Sequence, residues 1–348
     1  MIVKNEEEHL PRCLMSVQDL VDEIIIADTG SHDRTKEIAA SFGAKVFDFK
    51  WCDDFSAARN FSFSKAVMDY CMWLDADDVL CDREAFLRLK NDLPADTDVV
   101  MMPYHTAFDS SGKPTFSYRR ERILRRSADF QWEGAVHEVI TPRGKIYHSD
   151  VAVAHRKKGP GDPDRNLRIY EKLCSEDKVF SPREQFYYAR ELMYHERYRE
   201  AAEEFTAFLD GHRGWIENEL EACRNLAYCR QKMNEHEAAF AALTRALRYG
   251  PPRAELCCDL GHFFFEKGDW RSAVFWYEAA HNDPTSDQTG GFFLRDHRTV
   301  IPCLQLCVCY YRLGDTERAA IYNEEAGKYE PNHPSYLNNK AFFNGLTK

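Results

Sequence analysis

The sequence predicts an α/β domain followed by an all-α repeat domain. In the first half of the chain, short β-branched runs alternate with polar turns and amphipathic stretches, which is the pattern of an α/β sheet. One apolar run there ends in three carboxylates, Asp75, Asp77 and Asp78. From Asn166 onward the strand signals stop, and small residues recur at helical spacing.

The α/β prediction follows from the order of the elements. Residues 1–3 are apolar but too few for a full strand. Residues 21–28 form a β-branched run that ends in Asp28, and a polar turn and a helix to about residue 42 follow. Further strands are predicted at residues 45–49 and 151–155, with a hairpin between them formed by residues 98–104 and 115–118.

The three acids are the strongest chemical signal in the first half. Burying one ionised carboxylate without a partner costs several kcal/mol, so we expect these acids at the end of the strand of residues 70–74. The carboxyl ends of strands form the ligand crevice of open α/β sheets, and alternation puts Asp75 and Asp77 on one side. Paired carboxylates suit Mg²⁺ or Mn²⁺, which would hold a diphosphate. The alternative is a solvated acidic turn.

Composition narrows the class of protein. The chain has 348 residues, enough for two domains, and its 44% apolar and 30% charged residues are typical of a soluble globular protein. A net charge of -11 argues against a nucleic-acid binder. Twelve cysteines without a C-x-x-C pair indicate reduced, buried thiols and a cytoplasmic protein. No apolar run approaches the roughly 18 residues of a membrane span, and no signal peptide is predicted.

Four sequence blocks, in this order, resemble glycosyltransferase family 2, which has the GT-A fold. The blocks are Lys4-Asn5-Glu6-Glu7, Asp28-Thr29-Gly30-Ser31, Asp54-Phe55-Ser56-Ala57-Ala58-Arg59-Asn60 and Trp73-Leu74-Asp75-Ala76-Asp77-Asp78. The chain particularly resembles members with tetratricopeptide repeats, among them peptide S-glycosyltransferases of the sublancin type. The resemblance implies a Rossmann-like mixed sheet with helices on both faces. It also implies inverting, metal-dependent transfer of a hexose from a nucleotide sugar, expected to be UDP-linked.

The resemblance also implies roles for residues of the donor site. It places Asn5, Glu7 and Asp28 around the nucleoside, and Arg59 near the diphosphate. Asp75 and Asp77 form the D-x-D motif, with Asp77 as the stronger ligand of Mn²⁺ or Mg²⁺. The structural alternatives are a helix N-cap or an Asx-turn for Asp28 and a surface ion pair for Arg59.

The catalytic base is predicted downstream, within residues 132–138. An inverting transferase needs a carboxylate to take the proton of the acceptor nucleophile. An acidic pair does this in related proteins, and its nearest match here is His137-Glu138. We expect Glu138 to be the base and Glu133 to be the reserve; the alternative is that His137 and Glu138 only order the loop. His155 resembles a late histidine that completes the metal shell in many GT-A enzymes, and the alternative is a histidine that merely ends a strand.

The second half predicts a tetratricopeptide-like solenoid. Aligning Tyr198, His236, Trp270 and Thr316 gives spacings of 38, 34 and 46 residues, and the middle value is the tetratricopeptide period. Three residues further on stand Ala201, Ala239, Ala273 and Ala319. Such repeats have a concave groove that binds peptide or protein segments, so we expect it to deliver a peptide, protein or glycan acceptor. The alternative is a packing or homodimer surface.

The predicted domains are residues 1–158 for the transferase and 166–348 for the repeats, with residues 159–165 as a linker or a lid. Two other functions remain open. One is a non-catalytic tetratricopeptide interaction protein with a vestigial transferase domain. The other is a nucleotidyltransferase, which the acidic residues 5–8 disfavour because a glycine-rich, basic phosphate loop is expected at that place.

Overall fold

The computed structural model of the chain describes residues 1–108, 112, 114–156, 162–284 and 294–346. It contains two compact units, Met1–Val179 and Phe180–Lys348. This division falls later than the boundary predicted from the sequence, because the helix Arg165–Ser175 belongs to the first unit. The domain boundaries of the transferase and the repeats therefore stay a prediction. Of the predicted linker or lid, residues 159–161 lie outside the described residues.

Three parallel strands open the first unit. They are β1 (Ile2–Val3), β2 (Ile25–Asp28) and β3 (Lys45–Asp48), in the order β1-β2-β3. Helices α1 (Leu10–Val17) and α2 (Thr35–Ser41) connect them. The short first strand is confirmed, and its Val3 lies opposite Asp28 in the register. The loops that follow β1 and β2 therefore meet at one edge of this sheet.

A second, mixed sheet follows. Its strands are β4 (Tyr70–Met72), β5 (Asp78–Leu80), β6 (Val99–Phe108), β7 (Pro114–Arg125), β8 (Ile146–His148) and β9 (Val153–His155). The order is β4-β7-β6-β9-β5, and β8 also pairs with β6. β6 and β7 form the predicted antiparallel hairpin, whereas β6 and β9 are parallel. The helices of this part are α3 (Phe55–Ser64), α4 (Arg83–Asp92) and α5 (Arg165–Ser175).

The alternation of the central strands builds the core of the second sheet. Val100, Met102 and Val153 are fully buried in one apolar cluster with residues of α1 and α4. A strand whose alternate residues are buried in this way fixes the register, because a slip of one residue would expose the whole apolar face. The predicted α/β domain with a mixed sheet is thus confirmed.

The second unit is helical. Its helices are α6 (Pro182–Tyr194), α7 (Tyr198–Gly211), α8 (Ile216–Lys232), α9 (His236–Arg245), α10 (Ala254–Glu266), α11 (Trp270–His281), α12 (Val300–Arg312), α13 (Thr316–Tyr329) and α14 (Pro334–Leu346). Consecutive helices pack on each other as pairs, which confirms the predicted all-α repeat region. Across the part of the chain that the structure describes, no helix is both long and apolar enough to cross a bilayer.

The sequence alignment of the repeats coincides with the helix pairs. The four aligned residues are the first residues of α7, α9, α11 and α13. The four alanines three positions further on are completely buried. Close approach is visible between α10 and α11, where a Cβ on Gly261 would lie 2.9 Å from the ring of Tyr277. Small residues at these positions are therefore a requirement of helix packing.

Candidate functional site

The site is built around the turn of residues 75–78, between β4 and β5. Two hydrogen bonds close this turn, from the Asp78 N–H to the Asp75 carbonyl (3.0 Å) and from the Asp75 N–H to Asp78 Oδ2 (3.1 Å). β5 pairs with β9, and the register sets Asp78 opposite His155. The sheet therefore brings the acidic turn next to a histidine that is far away in sequence.

Asp78 departs from the prediction that the three acids lie together at the open rim. It is the first residue of β5, and its side chain is 0% exposed. This burial is tolerated because the equally buried Arg122 of β7 donates from Nη1 to Asp78 Oδ2 at 2.9 Å. A buried carboxylate requires such a counter-charge, since isolated buried charges are strongly destabilising.

Aromatic rings enclose the guanidinium of Arg122. Its Cζ lies 3.7 Å from the ring centroid of Trp73 and 4.2 Å from that of Tyr104. The hydroxyl of Tyr104 donates to Asp78 Oδ1 at 2.9 Å. Burial, and then the nearby carboxylates of Asp78 and Asp75, raise the pKa of Tyr104, so this hydroxyl remains a proton donor.

His155 joins the acids at the end of β9. Its Nδ1 lies 3.3 Å from Asp77 Oδ1, 3.4 Å from Asp78 Oδ1 and 3.0 Å from the Tyr104 hydroxyl. Hydrogen bonds to Asp77 and then to Asp78 raise the pKa of His155 to about 10. The protonated imidazole thus balances the charge of the two carboxylates.

These residues form a group with the chemistry of a metal site. Ligand atoms of Asp77, Asp78 and His155 all lie within 4.8 Å of one another. Carboxylate oxygens with one imidazole fit Mn²⁺, and the carboxylates alone fit Mg²⁺. The predicted ligand Asp75 lies outside this group, in the adjoining ion-pair network, while Asp78 enters it.

Arg59 connects the acidic turn to Glu138. Its Nε donates to Glu138 Oε1 at 2.5 Å, and its Nη2 donates to Asp75 Oδ1 at 2.8 Å. The guanidinium lies over the rings of Trp132 (4.7 Å) and Trp73 (5.3 Å), and the side chain is only 10% exposed. Burial of Asp75 acts to raise the pKa of its carboxyl group, but the charges of Arg59 and then of Arg122 outweigh this effect, and the pKa is lowered. The surface ion pair considered for Arg59 is therefore excluded, because this pair is largely buried.

Local sequence explains how Arg59 and Glu138 meet. Asp54 caps α3 by accepting a hydrogen bond from the Ala57 N–H, and this orients Arg59 on the second turn. The Phe55 N–H donates to the Ala135 carbonyl, which attaches the loop of residues 133–139 to α3. In that loop His137 has a positive φ of 53°, a conformation uncommon for residues other than glycine. Glu133 is exposed, so the structure brings Glu138 but not Glu133 into the network.

The predicted nucleoside residues lie where the loops after β1 and β2 meet. Asn5 Oδ1 accepts from the His32 N–H (2.9 Å), and Glu7 Oε2 accepts from the Arg34 N–H (3.2 Å). Asp28 Oδ1 accepts from the N–H groups of Gly30 (3.0 Å) and Ser31 (2.9 Å), which is the Asx-turn alternative. Its Oδ2 is buried and has no hydrogen-bond partner among the described residues.

Sequence analysis missed Arg122 and Tyr104 and gave Asp78 no role. Arg122 lies directly before Ile123-Leu124 in a strand, and an arginine next to buried apolar residues indicates a hidden counter-charge. Its partner Asp78 is 44 residues away along the chain, and no periodic pattern in the sequence connects the two positions.

Residues 1–155 match the sequence model of the family described as glycosyl transferase family 2. A TPR repeat-containing protein of Synechococcus elongatus is 32% identical over 293 residues, which are 82% of this chain and 65% of that protein. The glycosyltransferase SunS of Bacillus subtilis is 27% identical over 210 residues, 55% of this chain and 48% of its own. An uncharacterized glycosyltransferase of Rickettsia typhi is 38% identical over 80 residues, 23% of this chain and 27% of its own. The chain thus spans less than two thirds of each of these relatives.

Two solved structures are also similar to this chain. MamA is 20% identical with a TM-score of 0.39, and the match covers 49% of this chain and 90% of MamA. YrrB, a TPR protein, is 16% identical with a TM-score of 0.37, and the match covers 52% of this chain and 92% of YrrB.

Proposed function

We propose that the protein is a metal-dependent, inverting glycosyltransferase, because residues 1–155 match the model of glycosyl transferase family 2 and a helical repeat region follows them. The donor is a UDP-linked hexose, and the acceptor is a nucleophile on a peptide, protein or glycan. The observation that carries this proposal is the meeting of two networks at residues 75–78. One contains Asp77, Asp78 and His155, and the other contains Arg59 and Glu138.

In this proposal Asp77 and His155 hold Mn²⁺ or Mg²⁺, with Asp75 next to them. A bound dication supplies a positive charge that stabilises the leaving diphosphate. Arg59, which donates to Asp75, adds a positive charge, and an arginine fork suits phosphate oxygens. Donor binding would have Arg59 exchange one carboxylate partner for a phosphate oxygen.

The nucleoside lies against the loops after β1 and β2. The side chains of Asn5 and Glu7 hold these loops together, so their contribution is to shape the pocket. Asp28 offers a direct contact, because its buried Oδ2 has no partner among the described residues and is able to accept a hydrogen bond from a base or a ribose. A hydrogen bond from the nucleoside would satisfy this oxygen and would therefore favour binding there.

Glu138 is the proposed base. Its Oε1 accepts from Arg59, so Oε2 is the atom that takes the proton of the acceptor nucleophile. Arg59 fixes the orientation of this carboxylate and keeps it beside Asp75. The exposed Glu133 has no comparable place in the network, and the strained backbone of His137 serves to aim its neighbour Glu138.

The helical repeats are proposed to bind the acceptor in their groove. Ion pairs join α6 to α8 and α8 to α10. Arg190 of α6 lies 3.5 Å from Glu221 of α8, and Arg224 of α8 pairs with Asp259 of α10. The exposed ring of Tyr228 on α8 is a suitable contact for an acceptor segment. We expect Tyr228→Ala to raise the KM for a peptide acceptor several-fold and to leave donor hydrolysis unchanged.

A thermal-shift screen of nucleotide sugars, with Mn²⁺ or with EDTA, tests this function. A ligand that binds only the folded state raises the melting temperature, so UDP-sugars with Mn²⁺ should do so and should then release UDP on incubation with an acceptor. The matched control is Asp96→Asn, which removes an exposed carboxylate paired with Lys145 and should behave as wild type. If no nucleotide sugar raises the melting temperature of the wild-type protein under either condition, the transferase hypothesis is wrong, and the alternative of a non-catalytic interaction protein is favoured.

A further inference from the structure

Asp78 uses its whole hydrogen-bonding capacity within the protein. Oδ1 lies within bonding distance of the Tyr104 hydroxyl (2.9 Å) and His155 Nδ1 (3.4 Å). Oδ2 accepts from Arg122 Nη1 (2.9 Å) and from the Asp75 N–H (3.1 Å). A carboxylate has about four acceptor positions, so these partners fill them, and a dication would bind Asp78 itself only by displacing one of them. It is a connecting residue between the acidic turn and the histidine.

Burying the Arg122–Asp78 pair removes two charges from water, and this desolvation costs free energy. Both side chains are 0% exposed, and Nε and Nη2 of Arg122 have no hydrogen-bond partner among the described residues. Apolar residues of similar size in place of a buried ion pair are often neutral or stabilising. The stability of the fold alone therefore does not explain why a buried ion pair stands immediately behind the site.

We propose that Arg122 and Tyr104 are positioning residues of the transferase site. Arg122 supplies the counter-charge that keeps Asp78 buried as an anion, and Tyr104 holds Asp78 and His155 in one orientation. Asp78 in turn fixes the backbone of Asp75. The inference rests on the metal-dependent reaction proposed above, because His155, which Tyr104 orients, is one of the two residues that would hold the dication.

The role of Tyr104 follows from the position of its hydroxyl. This oxygen lies 2.9 Å from Asp78 Oδ1 and 3.0 Å from His155 Nδ1, so it bridges the two residues. Since it donates to Asp78, it is able to accept from the Nδ1–H of His155, and this contact holds the imidazole ring in one orientation. Partners of this kind behind a metal-binding histidine typically change metal affinity 10- to 100-fold when removed.

The test compares wild type with Tyr104→Phe, Arg122→Lys and Tyr118→Phe. Tyr118→Phe is the matched control, because its ring packs against Tyr104 with centroids 5.6 Å apart but it lies outside the Asp78–His155 bridge. Mn²⁺ alone is the probe, and electron paramagnetic resonance counts the free ion. In the metal-free protein, ¹⁵N resonances of the histidine rings report the hydrogen bonding of the His155 ring, and His155→Gln identifies which resonances belong to it.

We expect Tyr104→Phe to weaken Mn²⁺ binding about tenfold and to shift the ring resonances of His155. Arg122→Lys should also weaken Mn²⁺ binding, while Tyr118→Phe should change neither quantity. Melting curves establish that each variant is folded. If wild type binds Mn²⁺ and Tyr104→Phe binds it equally well with unchanged His155 resonances, the positioning role is wrong. If wild type itself does not bind Mn²⁺ at millimolar concentration, the metal-dependent function fails first, and the positioning proposal fails with it.

Discussion

The turn of residues 75–78 and the repeat helices bury opposite kinds of side chain. Around the turn, Arg59, Asp78 and Arg122 are buried in ion pairs and against aromatic rings. At the helix contacts of the repeats, Ala201 and Ala239 are buried because they are small. Buried charge needs partners with exact geometry, whereas buried alanine needs only space. We propose that the first arrangement serves chemistry, whereas the second serves the architecture.

The difference predicts that substitutions in the two regions fail in different ways. A change of Asp77 or Glu138, which are not fully buried, should alter binding and turnover more than the free energy of unfolding. A change at a helix contact should do the reverse. The following three experiments test this contrast, from the largest expected effect to the smallest.

Glu138→Gln should have the largest effect. The amide is isosteric with the carboxylate but cannot take a proton, and general-base catalysis is worth about 10²- to 10⁴-fold in rate. We therefore expect transfer to the acceptor to fall by at least about 100-fold, while the affinity for UDP changes little. Steady-state transfer assays and UDP calorimetry measure the two quantities.

Glu133→Gln is the control for this substitution, because it removes the exposed carboxylate of the same loop. It should retain wild-type turnover. If Glu133→Gln is inactive and Glu138→Gln is active, the reserve assignment is the correct one and the Arg59–Glu138 pair only orders the loop.

Ala239→Leu tests the packing of the repeats. Ala239 is fully buried on α9, and the additional carbons should lower the free energy of unfolding by about 1–3 kcal/mol. Urea unfolding of the full chain measures this change. Ala241→Leu lies on the same helix at an exposed position and should be nearly neutral. Equal stability of the two variants would show that the aligned alanines do not lie at close helix contacts.

The smallest effect concerns acid stability. The side chain of Glu23 is 9% exposed and accepts hydrogen bonds from Lys45 Nζ at 2.8 Å and from the Val67 N–H at 2.7 Å. These two bonds, in this order of importance, lower the pKa of Glu23. A lowered pKa stabilises the folded state above the unfolded-chain value of about 4.5, and this stabilisation disappears as pH falls through the folded pKa. Glu23→Gln should therefore lose about 1 kcal/mol at neutral pH and fall less steeply below pH 4.5.

Glu237→Gln in the second unit is the counterpart of this variant. Glu237 also pairs with a lysine, Lys267 at 2.8 Å, but its side chain is 82% exposed. Solvent screens exposed pairs, so this variant should follow the wild-type pH curve. Urea unfolding between pH 3 and pH 7 compares the two variants. A larger effect for Glu237 would contradict the expectation that the buried carboxylate contributes more to stability than the exposed one.

The repeats were predictable because their signal is local and periodic. Tyr198, His236, Trp270 and Thr316 were aligned from residue spacing alone, and each begins a helix. The α/β class followed from alternating elements for the same reason. These predictions needed no knowledge of which distant residues meet.

The site was predictable only in part. Asp75 and Asp77 were found because they follow an apolar run, and Glu138 because of its place in a family-like block. The contacts of Arg122 with Asp78 and of Arg59 with Glu138 join residues 44 and 79 positions apart. Only the pairing of strands and the packing of α3 bring them together, and a single sequence contains no periodic signal for such contacts.

The central claim is that Asp77 holds a dication that binds the diphosphate of the donor. Calorimetry of UDP with wild type and Asp77→Asn, each with Mn²⁺ and with EDTA, tests this claim most directly. We expect Mn²⁺ to strengthen the binding of UDP to wild type at least tenfold. Asp77→Asn should remain folded and should bind UDP with the same affinity in Mn²⁺ as in EDTA. Equal UDP affinity in all four titrations would contradict the claim.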